Sequence, residues 1–346
     1  MSKKIRAAKK LRVVVLMHPS LVPPDSREGY GEQEAYEWKT EYDVVSTLRE
    51  LGHEVKPLGV ADELGPIRGV IEEWKPDIVF NLLEEFLGRQ EFDHHVVSFL
   101  ELMQVPYTGC HPRGLMLARD KALSKKLLAY HHLVVPKFAV FPRGRRIHRP
   151  KGLEFPLIVK SQVHEASLGI SQASIVESDE KLRERVAFIH ERHTSDAIAE
   201  QYIEGREFYV GILGNTRLEV LPIWELVFEN MPAGAVPIAT AHVKHNTDYQ
   251  RRRGIYQQRA EELSDALRNH IIRTSKHIAR ILDLDGYNRI DYRLGHDGKI
   301  YFLEANPNPD IARSEEFASA AEEAGKSFPQ LIQLILDLGL QRARLS

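Results

Sequence analysis

Two short runs in the C-terminal third carry side chains that could do chemistry: Arg289-Ile290-Asp291, and then Phe302-Leu303-Glu304-Ala305-Asn306. Alternation along a strand puts Arg289 and Asp291 on one face, and Glu304 and Asn306 on one face of a second strand. Asp297-Gly298 between them is a hairpin signal, so the two rows would lie side by side. Asp291, Glu304 and Asn306 then offer hard oxygen ligands of the kind magnesium takes, with phosphates and water completing the set. Taken alone, the same residues also suit an exposed hairpin with cross-strand charge pairing.

Two upstream lysines favour the first reading. Lys160 ends the apolar run Pro156–Val159, and Lys121 follows Asp120 in the first half of a helical stretch. A lysine at the end of a buried strand is well placed to reach a phosphate in a cleft. The loop Ser161–Leu168 could close over phosphates through its backbone N–H groups. Downstream, Glu200-Gln201-Tyr202-Ile203 ends another strand and could offer backbone groups and a carboxylate to an adenine edge, while Glu207 suits a ribose hydroxyl.

The elements that must hold these residues are legible in outline. Leu11–Met17, Val55–Leu58 and Asp77–Asn81 read as buried strands, with helices through Glu34–Leu51 and Ile67–Trp74 between them. That alternation is the signature of an open α/β sheet. A helix is expected over about Leu115–Tyr130. A strand-rich block follows: Phe155–Lys160, Gln172–Val176, Ala197–Tyr202, Glu207–Leu213 and Leu218–Trp224, broken by a helix through Lys181–Glu191 with Ser178 as its N-cap. The stretch Thr240–Arg253 is polar and read as mobile. An amphipathic helix over about Arg259–Leu282, the hairpin strands Tyr287–Leu294 and Lys299–Glu304, and a closing helix over Ser327–Leu338 complete the chain.

Composition narrows the class. With 43% hydrophobic and 28% charged residues and a net charge of -2, the 346-residue chain reads as globular and gives no reason to expect a nucleic-acid or membrane partner. No run approaches the roughly 18 apolar residues of a membrane span. The basic stretch Lys3–Lys10 reads as a solvated leader. A single cysteine, Cys110, rules out an intrachain disulfide and fits a reducing cytoplasm. The pairs His94-His95 and His131-His132 point in different directions and make poor metal sites.

In its order of motifs (Lys121, Lys160, the 160–170 loop, Glu200–Ile203, Glu207, Arg289–Asp291, Glu304–Asn306) the sequence resembles the ATP-grasp fold. Within that fold it is most similar to the D-alanine–D-alanine ligase family, from Leu11 to Leu338. The resemblance implies an α/β protein with an N-terminal open parallel-sheet lobe (1–112), an α+β central lobe (113–212) and a C-terminal lobe with the metal hairpin (213–346). It implies that Lys121 and Lys160 hold ATP phosphates, that Glu200 and the backbone of Gln201, Tyr202 and Ile203 hold adenine, and that Glu207 holds the ribose. Asp291, Glu304 and Asn306 would bind two magnesium ions, with manganese as a substitute. Arg289 would steady the reacting acyl-phosphate, Lys244 would close over the γ-phosphate, and Ser167 belongs to the phosphate loop. The implied reaction joins a carboxylate to an amine, in the cytoplasm, with homodimer formation carried as an expectation.

The departures concern the amino acids. The family's Glu with Val-Ser after the first strand has no clear match, and Glu34, Glu37 and Glu41 are the candidates. The loop Leu83–Asp93 and the phosphate loop His164-Glu165-Ala166-Ser167-Leu168-Gly169 differ from the family pattern. Glu315-Glu316 replaces a Ser-Leu pair that receives the second substrate's carboxylate. Acid there would repel a carboxylate, so the expected ligase takes an acceptor that is larger or cationic. The other readings are authentic D-alanyl-D-alanine synthesis, a kinase on the same fold, a non-catalytic nucleotide-binding module, or glutamates that simply face solvent.

Overall fold

The computed structural model describes residues 10–344, apart from 165–169, 233, 241–242 and 244–245. The chain divides into two compact units: residues up to Pro112 together with those from Asp310 onward, and the continuous stretch Arg113–Pro309. Among the described residues no helix is long and apolar enough to cross a membrane.

In the first unit, β1 (Arg12–Met17) lies between β2 (Glu54–Gly59) and β3 (Ile78–Asn81), all parallel. The β-branched run of β1 is covered on both faces, with Val13 through Met17 essentially without solvent exposure. The helix expected over Glu34–Leu51 is two, Glu32–Glu37 and Lys39–Glu50, meeting at Trp38. The last helix, Phe328–Ala343, belongs to this unit, whereas the sequence reading assigned residues 310–346 to the C-terminal lobe. Its seating is specific. Arg342 donates to the carbonyls of Gly109 (2.6 Å) and Tyr107 (2.7 Å) and stacks 4.0 Å over the Tyr107 ring. At Gly339 a Cβ would stand 2.5 Å from the Tyr107 carbonyl oxygen, so only glycine permits that approach.

The second unit holds two sheets. The smaller is antiparallel, in the order β4 (Phe138–Phe141), β7 (Ala197–Gln201), β5 (Leu157–Ser161), β6 (Ile175–Val176), with the helix Asp179–Arg192 packed on it. Ser178 caps that helix as expected, accepting from Lys181 N. The larger sheet runs β11 (Ile255–Arg259), β10 (Trp224–Phe228), β8 (Gly205–Leu213), β12 (Tyr287–Gly295), β13 (Ile300–Pro307), with β9 (Glu219–Val220) on β8. Strand β8 therefore belongs to the second sheet, which begins before residue 213. The strand expected over Leu218–Trp224 is instead the short β9, then β10. Gly205 has φ +146°, and a Cβ there would collide with the Leu294 carbonyl at 1.9 Å.

The helix Asp265–Ile281 covers the larger sheet through Ile271, Ser275, Ile278 and Ala279. Ser275 Oγ and Tyr292 Oη share a 2.8 Å hydrogen bond beneath it. The helix expected over Leu115–Tyr130 is broken into Pro112–Arg119 and Lys121–Tyr130. Asp120 is the N-cap of the second, accepting from Ala122 N and Leu123 N. Lys121 is thus the first residue of a helix and not an interior one.

Candidate active site

The second unit contains a cleft between its two sheets. Lys160 from β5, Glu200 and Gln201 from β7, Glu207 from β8, Asp291 from β12 and Glu304 from β13 all line it, with Tyr202 and Ile203 on the segment after β7. Eight of the residues singled out in the sequence therefore share one cavity. The hairpin register puts these side chains on one face: Arg289 sits opposite Asn306 and Asp291 opposite Glu304, and opposed residues of an antiparallel pair project to the same side.

Hydrogen bonds tie that face together. Arg289 grips Asp291 with two, at 2.7 and 2.9 Å, while its guanidinium lies 4.8 Å over the Tyr209 ring. Asn306 Nδ2 donates to Asp291 Oδ2 at 2.9 Å. Lys121 Nζ reaches within 3.7 Å of Glu304 and donates to the His164 carbonyl at 2.7 Å. Among the described residues there is no group of three His, Cys, Asp or Glu side chains that could hold a metal. What exists is two carboxylates and one amide oxygen. That donor set fits a magnesium ion that takes its other ligands from phosphate and water, and does not fit an all-protein cage.

The remainder of the cleft fits a nucleotide. Ile158, Ile170, Ile203, Ile238 and Leu303 supply apolar walls suited to the faces of a base. Lys160 and Arg293 supply positive charge. Glu207 accepts from Tyr209 Oη at 3.0 Å and from Arg293 Nη2, so its carboxylate is fixed before any ligand arrives. Arg293 escaped the sequence reading, although the alternation in Arg289-Ile290-Asp291-Tyr292-Arg293 places it on the same face as the other two.

Glu200 is wholly buried between two ammonium groups, Lys125 Nζ at 3.1 Å and Lys160 Nζ at 3.3 Å. Burial alone would raise its carboxyl pKa; Lys125 and then Lys160 outweigh that and hold it below the ordinary value. Burial works against the charge of Lys160 too, and Glu200, then Glu304, reverse it. Lys125 is the other residue that sequence reasoning missed, since a lysine inside a helix ordinarily reads as part of a solvated face. Burial lowers its pKa to about 8 despite Glu200. Ser167 and Lys244 lie outside the described residues.

Apart from the phosphate loop, the departures from the family pattern lie in the first unit. Glu315 does not face solvent: it pairs with Lys39, whose Nζ is also 3.7 Å from Asp310. Thr40 Oγ1 donates to Asp310 at 2.7 Å. Glu316 is buried. Of the three glutamate candidates, Glu34 is exposed and accepts from Gly31 N at 3.2 Å, and Glu37 is exposed. Glu41 is only 6% exposed. Burial, with Glu84 and Asp310 nearby, outweighs a backbone hydrogen bond and Lys39 and pushes its carboxyl up to about 8.

Comparison with known proteins agrees with this architecture. The family model described as "D-ala D-ala ligase C-terminus" matches residues 127–337. A protein of Sinorhizobium fredii named "Uncharacterized protein y4sG" is 32% identical, over 86% of this chain and 87% of its own. A D-alanine--D-alanine ligase of Aquifex aeolicus is 31% identical, over 94% of this chain and the whole of its own. The crystal structure of the D-alanine--D-alanine ligase from Bacillus anthracis complexed with ATP superposes with a TM-score of 0.76 at 21% identity, covering 98% of this chain and 99% of that one, a likeness of fold. The chain belongs to the D-alanine–D-alanine ligase family of ATP-grasp ligases.

Proposed function

We propose that this protein is an ATP-dependent ligase that activates a carboxylate as an acyl-phosphate and passes the acyl group to an amine, with an amino-acid pocket altered from that of its relatives. The observation that carries the reading is the single cleft in which Lys160, Glu207, Asp291 and Glu304 converge. A carboxylate oxygen of the first substrate attacks the γ-phosphorus of ATP and ADP leaves. The amine nitrogen of the second substrate, having lost its proton, then attacks the acyl carbon and phosphate leaves. Two magnesium ions, when bound by Asp291, Glu304 and Asn306, would supply positive charge against the transferring phosphoryl group.

The chain's own residues do the placing. Lys121 and Lys160 hold the phosphates, and the backbone of Gln201 and Ile203 addresses the base. Glu207, fixed by Arg293 and Tyr209, receives the ribose. Glu200 acts through the lysines it separates. Asp291, Glu304 and Asn306 hold the metal, Arg289 orients Asp291 and faces the reacting group, and Ser167 and Lys244 belong to the segments that close over the phosphates. Within the altered pocket buried Glu41 is placed to receive a substrate ammonium, and Lys39 neutralises Glu315. The charge argument against a carboxylate at Glu315 alone is therefore weaker than the sequence implies, and Glu41 becomes the residue to which specificity is assigned.

The test is ADP release from magnesium-ATP against paired amino acids and small acids, with product identification and Glu304→Ala as the blank. An amide product that requires Glu304 supports the ligase. A phosphate ester would make the protein a kinase, and absence of turnover with every pair would leave a nucleotide-binding module. Turnover with D-alanine alone, giving the dipeptide, would refute the altered pocket.

A further inference from the structure

The ladder between β12 and β13 is interrupted at the metal face. Pairing runs from Asn288 opposite Pro307 to Asp291 opposite Glu304, then resumes at Tyr292 opposite Phe302, leaving Leu303 as an extra residue. One extra residue reverses the in-and-out alternation of a strand. Phe302 therefore turns into the core at 1% exposure, although it stands two positions from Glu304, which lines the cleft. The aim of Glu304 depends on that bulge staying where it is.

A bulge frees a backbone carbonyl from the ladder, and a buried carbonyl needs a donor. The Leu303 carbonyl accepts from Lys125 Nζ. The same ammonium lies 3.1 Å from Glu200 and 5.3 Å over the Phe302 ring, the residue on the other side of the bulge. Its side chain has no solvent exposure at all. Withdrawing an ammonium from water so completely is costly, and an apolar side chain of similar length would fill the space without that cost. Nothing in packing alone accounts for a lysine here.

We propose that Lys125 is a positioning residue of the metal site: it pins the Leu303 bulge and so aims the Glu304 carboxylate, with Glu200 as the counter-charge that keeps the pin ionised. The inference rests on the ATP–magnesium reading of the cleft. Lys125 itself touches neither substrate nor metal in this assignment.

The test is calorimetric titration of the full-length chain with ATP, with and without Mg²⁺, for wild type and Lys125→Met, alongside melting temperatures. For Lys125→Met the enhancement of ATP binding by Mg²⁺ falls about tenfold or more, the range seen when supporting partners of metal ligands are removed, while binding without metal changes little. Should Lys125→Met fail to fold, Lys125→Gln, which is neutral and leaves Glu200 paired with Lys160, carries the same expectation. Equal loss of affinity with and without Mg²⁺, or a lowered melting temperature with the Mg²⁺ enhancement intact, overturns the proposal. A wild-type chain that binds no ATP under either condition overturns the reading of the cleft and takes this inference with it.

Discussion

Glu41 is a residue whose removal should stabilise the protein, and by an amount that depends on pH. Its carboxyl is raised from an ordinary 4.5 to about 8, first by burial and then by Glu84 and Asp310. The folded state therefore holds a proton that the unfolded chain releases above pH 4.5. Between those two values stability falls as pH rises, by about 1.4 kcal/mol per pH unit. At pH 7 the accumulated cost is about 3 kcal/mol, and above pH 8 it levels off near 5 kcal/mol. Glu41→Gln keeps the shape and removes the titration. The variant should match wild type near pH 4.5 and exceed it increasingly toward pH 8. Urea unfolding midpoints for both proteins at several pH values between 5 and 8.5 measure this directly. A difference that does not vary with pH, or a variant that grows less stable as pH rises, would refute the argument. The same variant should have a raised KM for the first, carboxylate-donating substrate, whose ammonium Glu41 is assigned, because a destabilising buried carboxylate is retained where function uses it.

Other consequences are simpler to check. Arg293→Met leaves Glu207 buried without its guanidinium partner, so stability should fall by about 3 kcal/mol and KM for ATP should rise. Adding Glu207→Gln should restore part of the stability but not the KM. Gly339→Ala drives a methyl group against the Tyr107 carbonyl and should cost about 1–3 kcal/mol, read as a lowered melting temperature with ATP affinity unchanged. An unaltered melting temperature would mean that the closing helix shifts without penalty.

The parts of the fold that the sequence announces are those governed by local pattern. The run Val13–Met17 can only be a strand covered on both sides, and Asp297-Gly298 fixes the hairpin that pairs Asp291 with Glu304. What escaped depends on distant partners. Strand β11 reads Ile255-Tyr256-Gln257-Gln258-Arg259, with Tyr256 40% exposed, and owes its conformation to pairing with β10. The break at Asp120 was hidden because a capping aspartate between two helical stretches looks like one polar position in a longer helix. The bulge at Leu303 has no turn residue to mark it. Lys125 and Arg293 were missed for a related reason: their roles lie in carbonyls and carboxylates contributed by other strands. Glu315 was read as a free acid because Lys39, its partner, lies far away along the chain.

The first unit is built from two pieces of chain separated by the whole of the second. During synthesis the three parallel strands emerge early, yet Arg342 and Gly339, which seat the closing helix on Tyr107 and Gly109, are made only after the whole of Arg113–Pro309. The stretch Arg113–Pro309, being continuous, has all its own contacts available while that helix is still unmade. The nascent chain must therefore carry an unsealed N-terminal sheet until that helix has been made, and a ribosome that stalls before residue 328 leaves the second unit fully encoded while the core of the first cannot close.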